Sequence, residues 1–155
     1  MQPSSTTVDR LRQAVRRDRL PELRTRFEQL VSERLTADDC IPRLVLDGDL
    51  RLADCTIELA EWLERMSPHG LENPEPLFRA SDVVVESAAG VGGGRHLRLA
   101  VRDGSGRAEA IAFGLGEMAT AVARAGRCDI AFVPGRNEWM GETRVQLKVK
   151  GVRLP

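Results

Sequence analysis

Side chains able to do covalent or metal chemistry are few and scattered in this sequence. His69 lies at the end of a helical pattern and His96 at the start of an alternating one, and no cluster of His, Asp and Glu has ligand spacing. Cys40, Cys55 and Cys128 are an odd number without CxxC spacing, which speaks against a disulfide framework and against a thiolate zinc site. Asp38-Asp39 reads as a helix cap and Asp47-Gly48-Asp49 as a turn. Gly92-Gly93-Gly94 is followed by neither Lys-Ser/Thr nor a helix start, so it fails as a phosphate-cradling loop and reads as a flexible hairpin. Gly114-Leu115-Gly116 is a strand-to-helix corner or an anion site at a helix start. The expectation is no catalytic residue, no metal site and no cofactor in this chain.

What remains is non-covalent chemistry. In His96–Arg102 the outward positions are His96, Arg98 and Arg102; in Thr143–Val152 they are Arg144, Gln146, Lys148 and Lys150, without one acid. Cations that follow a phosphate backbone, beside aromatics on which bases stack, are the equipment of a single-strand binder. Phe113 and Trp139 are the available platforms. Phe113, among small residues, reads rather as a plug for one end of a barrel, and Trp139 equally as exposed, as an interdomain contact or as core. A solvated basic face is the plain reading of the cations. The candidate contact set is His96, Arg98, Arg102, Phe113, Arg136, Trp139, Arg144, Gln146 and Lys148.

The elements that must position these residues change character along the chain. Residues 1–7 are polar and expected to be disordered. Apolar residues then recur at three or four from Val8 through Leu11 to Val15, and again through Leu20, Leu23, Phe27, Leu30, Val31 and Leu35, with Pro21 opening a second helix. Arg43–Leu46 alternates like a short strand. A further helix, announced by Asp54, runs to Met66, and Asn73-Pro74-Glu75-Pro76 makes a stiff, extended linker. Beyond it the period drops to two. Strands are predicted at Phe78–Ser87, His96–Arg102, Arg107–Gly114, Cys128–Val133 and Thr143–Val152, with a helix at Glu117–Ala125 and joining loops at 88–94 and 134–142. Three meandering strands, a helix and two strands give the order of an OB barrel. The fold class is therefore α+β: an N-terminal helical part with a short strand, then a five-stranded OB-fold barrel with one helix between strands three and four.

Charge supports that division. The whole chain balances 23 basic against 23 acidic residues, but residues 1–75 hold 11 and 15 while residues 76–155 hold 12 and 8. Only the second half carries the net positive field that attracts phosphate. No apolar run reaches the length of a membrane span and no leader pattern opens the chain, so a soluble, cytoplasmic protein is expected.

Four collinear strings carry a family resemblance: Asn73-Pro74-Glu75-Pro76-Leu77-Phe78, His96-Leu97-Arg98-Leu99, Ala110-Ile111-Ala112-Phe113-Gly114-Leu115-Gly116, and Asn137-Glu138-Trp139 followed by Gln146-Leu147-Lys148-Val149. In this order the chain resembles the C-terminal part of the RecJ single-strand-specific DNA exonucleases of the DHH phosphoesterase superfamily. The resemblance implies a DHH-associated remnant over 8–53, a connecting helix and Pro-rich linker over 54–75, and an OB domain over 76–155. It also implies a role in DNA repair and recombination, holding single-stranded DNA for a manganese or magnesium site in an upstream domain. His96, Arg98, Phe113, Trp139, Gln146 and Lys148 match the family's motif positions. The metal-binding DHH motifs and the Gly-Gly-His motif of that family are missing from this sequence, Glu72 replaces a usual Gly, and the 90–94 loop is unusually Gly-rich. The chain thus resembles a C-terminal piece, and the expectation is that it does not hydrolyse DNA by itself. The alternative reading is an interaction domain that docks on a separately encoded DHH-type catalytic subunit.

Overall fold

The computed structural model describes residues 19–36, 39, 41, 43–139 and 141–155. The expectations for residues 1–7 and for a helix starting at Val8 lie outside the described residues. The chain divides after Arg43 into two compact units. In the first, helix α1 spans Leu20–Arg34 with Pro21 in its opening turn, where a missing N–H costs no bond. Arg19–Glu22 and Arg24–Glu28 pairs line its polar side. Its apolar stripe, Leu20, Leu23, Phe27 and Leu30, is about half exposed or more.

The second unit, Leu44–Pro155, is built on six strands: β1 (Gly48–Asp49), β2 (Phe78–Val91), β3 (His96–Arg102), β4 (Arg107–Ala112), β5 (Arg127–Trp139) and β6 (Glu142–Arg153). Their order is β1-β2-β3-β4-β6-β5, and β5 pairs back onto β2. Strands β2 to β6 therefore close into a five-stranded barrel, with β4 and β6 parallel and every other contact within the barrel antiparallel. This is the OB architecture expected from the alternation.

The barrel closes because β2 serves two partners. Phe78–Val84 pairs with β5 and Val84–Val91 with β3, and bulges between Ala80 and Val83 and between Val85 and Ser87 bend the strand from one to the other. At the first bend Asp82 has φ +54°, and its N–H donates to Asp129 Oδ1 at 2.8 Å. Alternate residues then point inward: Leu97, Leu99 and Val101 from β3, Ala110 and Ala112 from β4, Ile130 and Phe132 from β5, Leu147 and Val149 from β6, all essentially without exposure. The small alanines of β4 face the large Phe132 and leucines, which lets so narrow a barrel fill. Helix α3 (Ala119–Ala125), entered through a 3-10 turn at Gly116–Met118, adds the buried Val122 to the core.

Several local expectations are corrected. Asp47-Gly48-Asp49 is no turn, and Arg43–Leu46 is not the strand. Asp47 exchanges hydrogen bonds with Leu77, its N–H donating to the carbonyl and its carboxylate accepting from the N–H. Gly48–Asp49 then runs parallel to Phe78–Arg79. The next helix, α2 (Ile57–Arg65), is capped by Thr56, whose side chain accepts from Leu59 N at 3.1 Å; Asp54 ends a separate 3-10 turn. α2 packs on β5, and Ala60, Leu63, Leu77 and Val133 are buried outside the main core. The first barrel strand runs to Val91, so the hairpin tip is only Gly92–Arg95, where three successive glycines take φ of +62°, +71° and +82°. The 134–142 loop is likewise mostly strand. Pro134 is tolerated because it lies just past Phe132, the last β5 residue opposite β2, where one edge of the strand has no strand neighbour.

Candidate nucleic-acid interface

Beyond the barrel, β5 and β6 continue as a two-stranded arm, from Arg136 opposite Val145 to Trp139 opposite Glu142. On its groove side the arm faces the outer surface of β3 and β4. Between them lies an open groove of about 770 Å³ lined by Arg98, Glu109, Asn137, Glu142, Arg144, Val145 and Gln146. Strands two and three and the hairpins joining strands one to two and four to five are the parts of an OB fold that take oligonucleotides. The groove uses three of those four.

Register fixes how the outward side chains are arrayed. Arg98 on β3, Ile111 on β4 and Lys148 on β6 form one row; Ala100, Glu109 and Gln146 form the next. Arg102 stands opposite Arg107 in a further row, and both arginines reach Glu86, at 3.5 and 2.5 Å. At the other end of the face His96 and Phe113 meet edge to face, with ring centroids 5.1 Å apart, and His96 Nδ1 accepts from Gly114 N. Phe113 is 65% exposed. It does not plug the barrel: the alternation that buries Ala110 and Ala112 turns it out.

Of the sequence-derived candidates, Arg98, Arg144 and Gln146 line the groove, and Lys148 shares a row with Arg98. His96 and Phe113 border the face at one end and Arg102 at the other. Arg144 is paired with Glu142 at 2.5 Å, and Lys150 with Glu75 at 3.1 Å. Arg136 is committed elsewhere: it meets Glu64 at 2.6 Å and Glu61 at 3.2 Å, both on α2, which raises its pKa above the usual guanidinium value. It ties the arm to that helix. The backbone of Trp139 ends β5 at the tip of the arm; the described side chains do not include it. Among the described residues, Arg98 and Lys148 are the cations of this face that form no ion pair. Glu109 and Asn137, which line the groove, were not among the candidates; the outward register of Glu109 in β4 was the available signal.

The face is held from behind by Asp103 in the β3–β4 turn. Burial raises its pKa, but hydrogen bonds donated by the backbone of Leu52, by the hydroxyl and N–H of Ser105 and by Gly106 N outweigh that and bring it to about 2. The same contacts seat the buried Leu52. Gly116 approaches the hairpin tip so closely that a Cβ there would lie 1.9 Å from Gly94 O. Burial pushes the thiols of Cys55 and Cys128 up, to about 12 and about 11, which leaves both unreactive near neutrality. Among the described residues no three His, Cys, Asp or Glu gather where a metal ion could be held, and no helix is long and apolar enough to cross a membrane.

Comparison with known proteins agrees with the OB architecture. A family model described as the RecJ OB domain matches residues 46–151. The single-stranded-DNA-specific exonuclease RecJ of Bacillus subtilis (strain 168) is 27% identical over 132 residues, 84% of this chain and 17% of that protein. The enzyme of the same name from Dickeya dadantii (strain 3937) is 30% identical over 86% of this chain and 23% of its own length. The crystal structure of RecJ in complex with Mg²⁺ from Thermus thermophilus superposes with a TM-score of 0.64 at 23% identity, covering 91% of this chain and 21% of that one. The chain thus spans about a fifth of the length of the relatives it matches.

Proposed function

The chain belongs to the RecJ OB domain family, and from that premise we propose that it holds single-stranded DNA in the groove between β3, β4 and the β5–β6 arm. The observation that carries the reading is the row Arg98–Ile111–Lys148. Its two cations have no acid partner among the described residues, whereas the other cations of the same face do. An unpaired guanidinium and ammonium about two strand spacings apart, some 10 Å, suit two phosphates of one strand laid across the sheet. Phe113, exposed at one end of the face, offers a stacking surface for a base.

Hydrolysis is assigned outside this chain. The manganese or magnesium site of the family needs a cluster of carboxylates and imidazoles, and the described residues do not fit one. The proposed part is therefore the strand-holding one in DNA repair and recombination, and no hydrolytic step is derived from these residues.

Fluorescence anisotropy with a labelled mixed-sequence oligonucleotide of about twelve nucleotides tests the reading. Binding at about 50 mM salt should weaken roughly sevenfold at about 200 mM, as expected for about two phosphate contacts on a single strand. No binding at the lower salt would sink it. One observation favours a second reading. The exposed apolar stripe of α1 calls for a partner, and a DHH-type catalytic domain or subunit is the one proposed. Co-purification with such a subunit, abolished by Leu23→Glu with Phe27→Glu, would support it.

A further inference from the structure

Glu109 is out of place on a surface that attracts phosphate. It lies in mid-row between Ala100 and Gln146 on the floor of the groove, exposed, and forms no ion pair among the described residues. A phosphate set against an unpaired carboxylate is repelled, so the sugar–phosphate backbone is excluded from this row. It is left to the row of Arg98 and Lys148, about 7 Å away along β4. What fits against a carboxylate flanked by the amides of Asn137 and Gln146 is the donor edge of a base. Cytosine presents an exocyclic amino group there. Uracil and thymine present a carbonyl at the same position, whose oxygen would face the carboxylate.

We propose that Glu109 makes the groove selective, favouring bases with an exocyclic amino group, and cytosine over uracil or thymine among the pyrimidines. The inference rests on the groove being where the single strand lies. It assigns to Glu109 the reading of the base, with Asn137 and Gln146 orienting it, and to Arg98 and Lys148 the phosphates. Arg144 is held by Glu142 and frames the groove wall.

The test uses the full chain and two labelled oligodeoxynucleotides of about twelve residues, one all cytosine and one all uracil, which differ only at ring positions 3 and 4. At neutral pH and low salt the cytosine strand should bind about fivefold or more tightly than the uracil strand, the scale of one good hydrogen-bonded contact. Glu109→Gln, which can both donate and accept, should bring the two within about twofold, chiefly by tightening the uracil strand once the negative charge is gone. Glu109 is exposed, so the variant should keep the far-ultraviolet circular dichroism of the parent. Equal binding of both strands by the parent protein, or an unchanged preference in Glu109→Gln, would overturn the proposal while leaving the groove as the binding site. Binding of neither strand would overturn the reading of the groove and this inference with it.

Discussion

The two sides of the barrel use the same side chains differently. On the side of β1, β2, β5 and the end of β6, arginines meet aspartates: Arg79 holds Asp49 at 2.6 and 2.9 Å, Arg127 holds Asp82 at 2.5 and 2.6 Å, and Arg153, the last residue of β6, holds Asp129. These pairs join segments 24 to 45 residues apart in sequence; the arginines lower the pKa of Asp49 and Asp82, and that of Asp129 is lowered first by the N–H of Asp82 and then by Arg153. On the side of β3, β4 and β6, Arg98 and Lys148 are exposed and have no acid partner among the described residues. The first side is closed on itself and the second is open to a ligand. The role of a surface cation here lies in its partner rather than in its type, exposure or strand.

Substitutions on the two sides should act differently. The largest effect is expected behind the open face, where Asp103→Ala deprives Leu52, Ser105 and Gly106 of their acceptor and should cost about 3 kcal/mol in urea unfolding. Because the folded-state pKa of Asp103 is depressed to about 2 from 3.8, its contribution is present above the ordinary carboxylate value and lost as pH falls toward 2. Asp103→Asn should therefore flatten the fall in stability between about pH 4 and pH 2. Phe113→Ala should weaken single-strand binding roughly tenfold with little change in stability, since its ring is mostly outside the core. Arg98→Ala should weaken it roughly fivefold at low salt, again without unfolding the protein. On the closed side Arg127→Gln should leave DNA affinity within about twofold of the parent. A drop there as large as that at Arg98 would erase the distinction between the two sides.

Much of the barrel was legible because alternation survives wherever one face is core. Leu97, Leu99 and Val101, and Val145, Leu147 and Val149, announce their inward side in the sequence, and topology followed from the place of the helix. Where the alternation met Pro134 and Gly135, or Ala88, Ala89 and Gly90, those residues read as breakers. They are strand because a neighbour on one side supplies the pairing that their own propensity does not favour. The N-terminal clip of Asp47, Gly48 and Asp49 was illegible for another reason: its partners, Leu77 and Arg79, lie 30 residues on. The same distance effect hid the commitment of Arg136 to α2, and only pairing separates it from Arg98. Glu109 was visible as an outward residue of β4 but had no meaning until register placed it on the groove floor.

Arg98 and Lys148 are proposed as the cations that, unpaired among the described residues, meet a phosphate backbone, and the salt dependence of binding reads their contribution. Anisotropy titrations of a mixed-sequence single strand across a salt series give the slope of log affinity against log salt. The double substitution Arg98→Ala with Lys148→Ala should make that slope shallower by about 1.4, the release expected from two phosphate contacts on a single strand. An unchanged slope, with binding intact, would place the strand on some other surface and contradict the account.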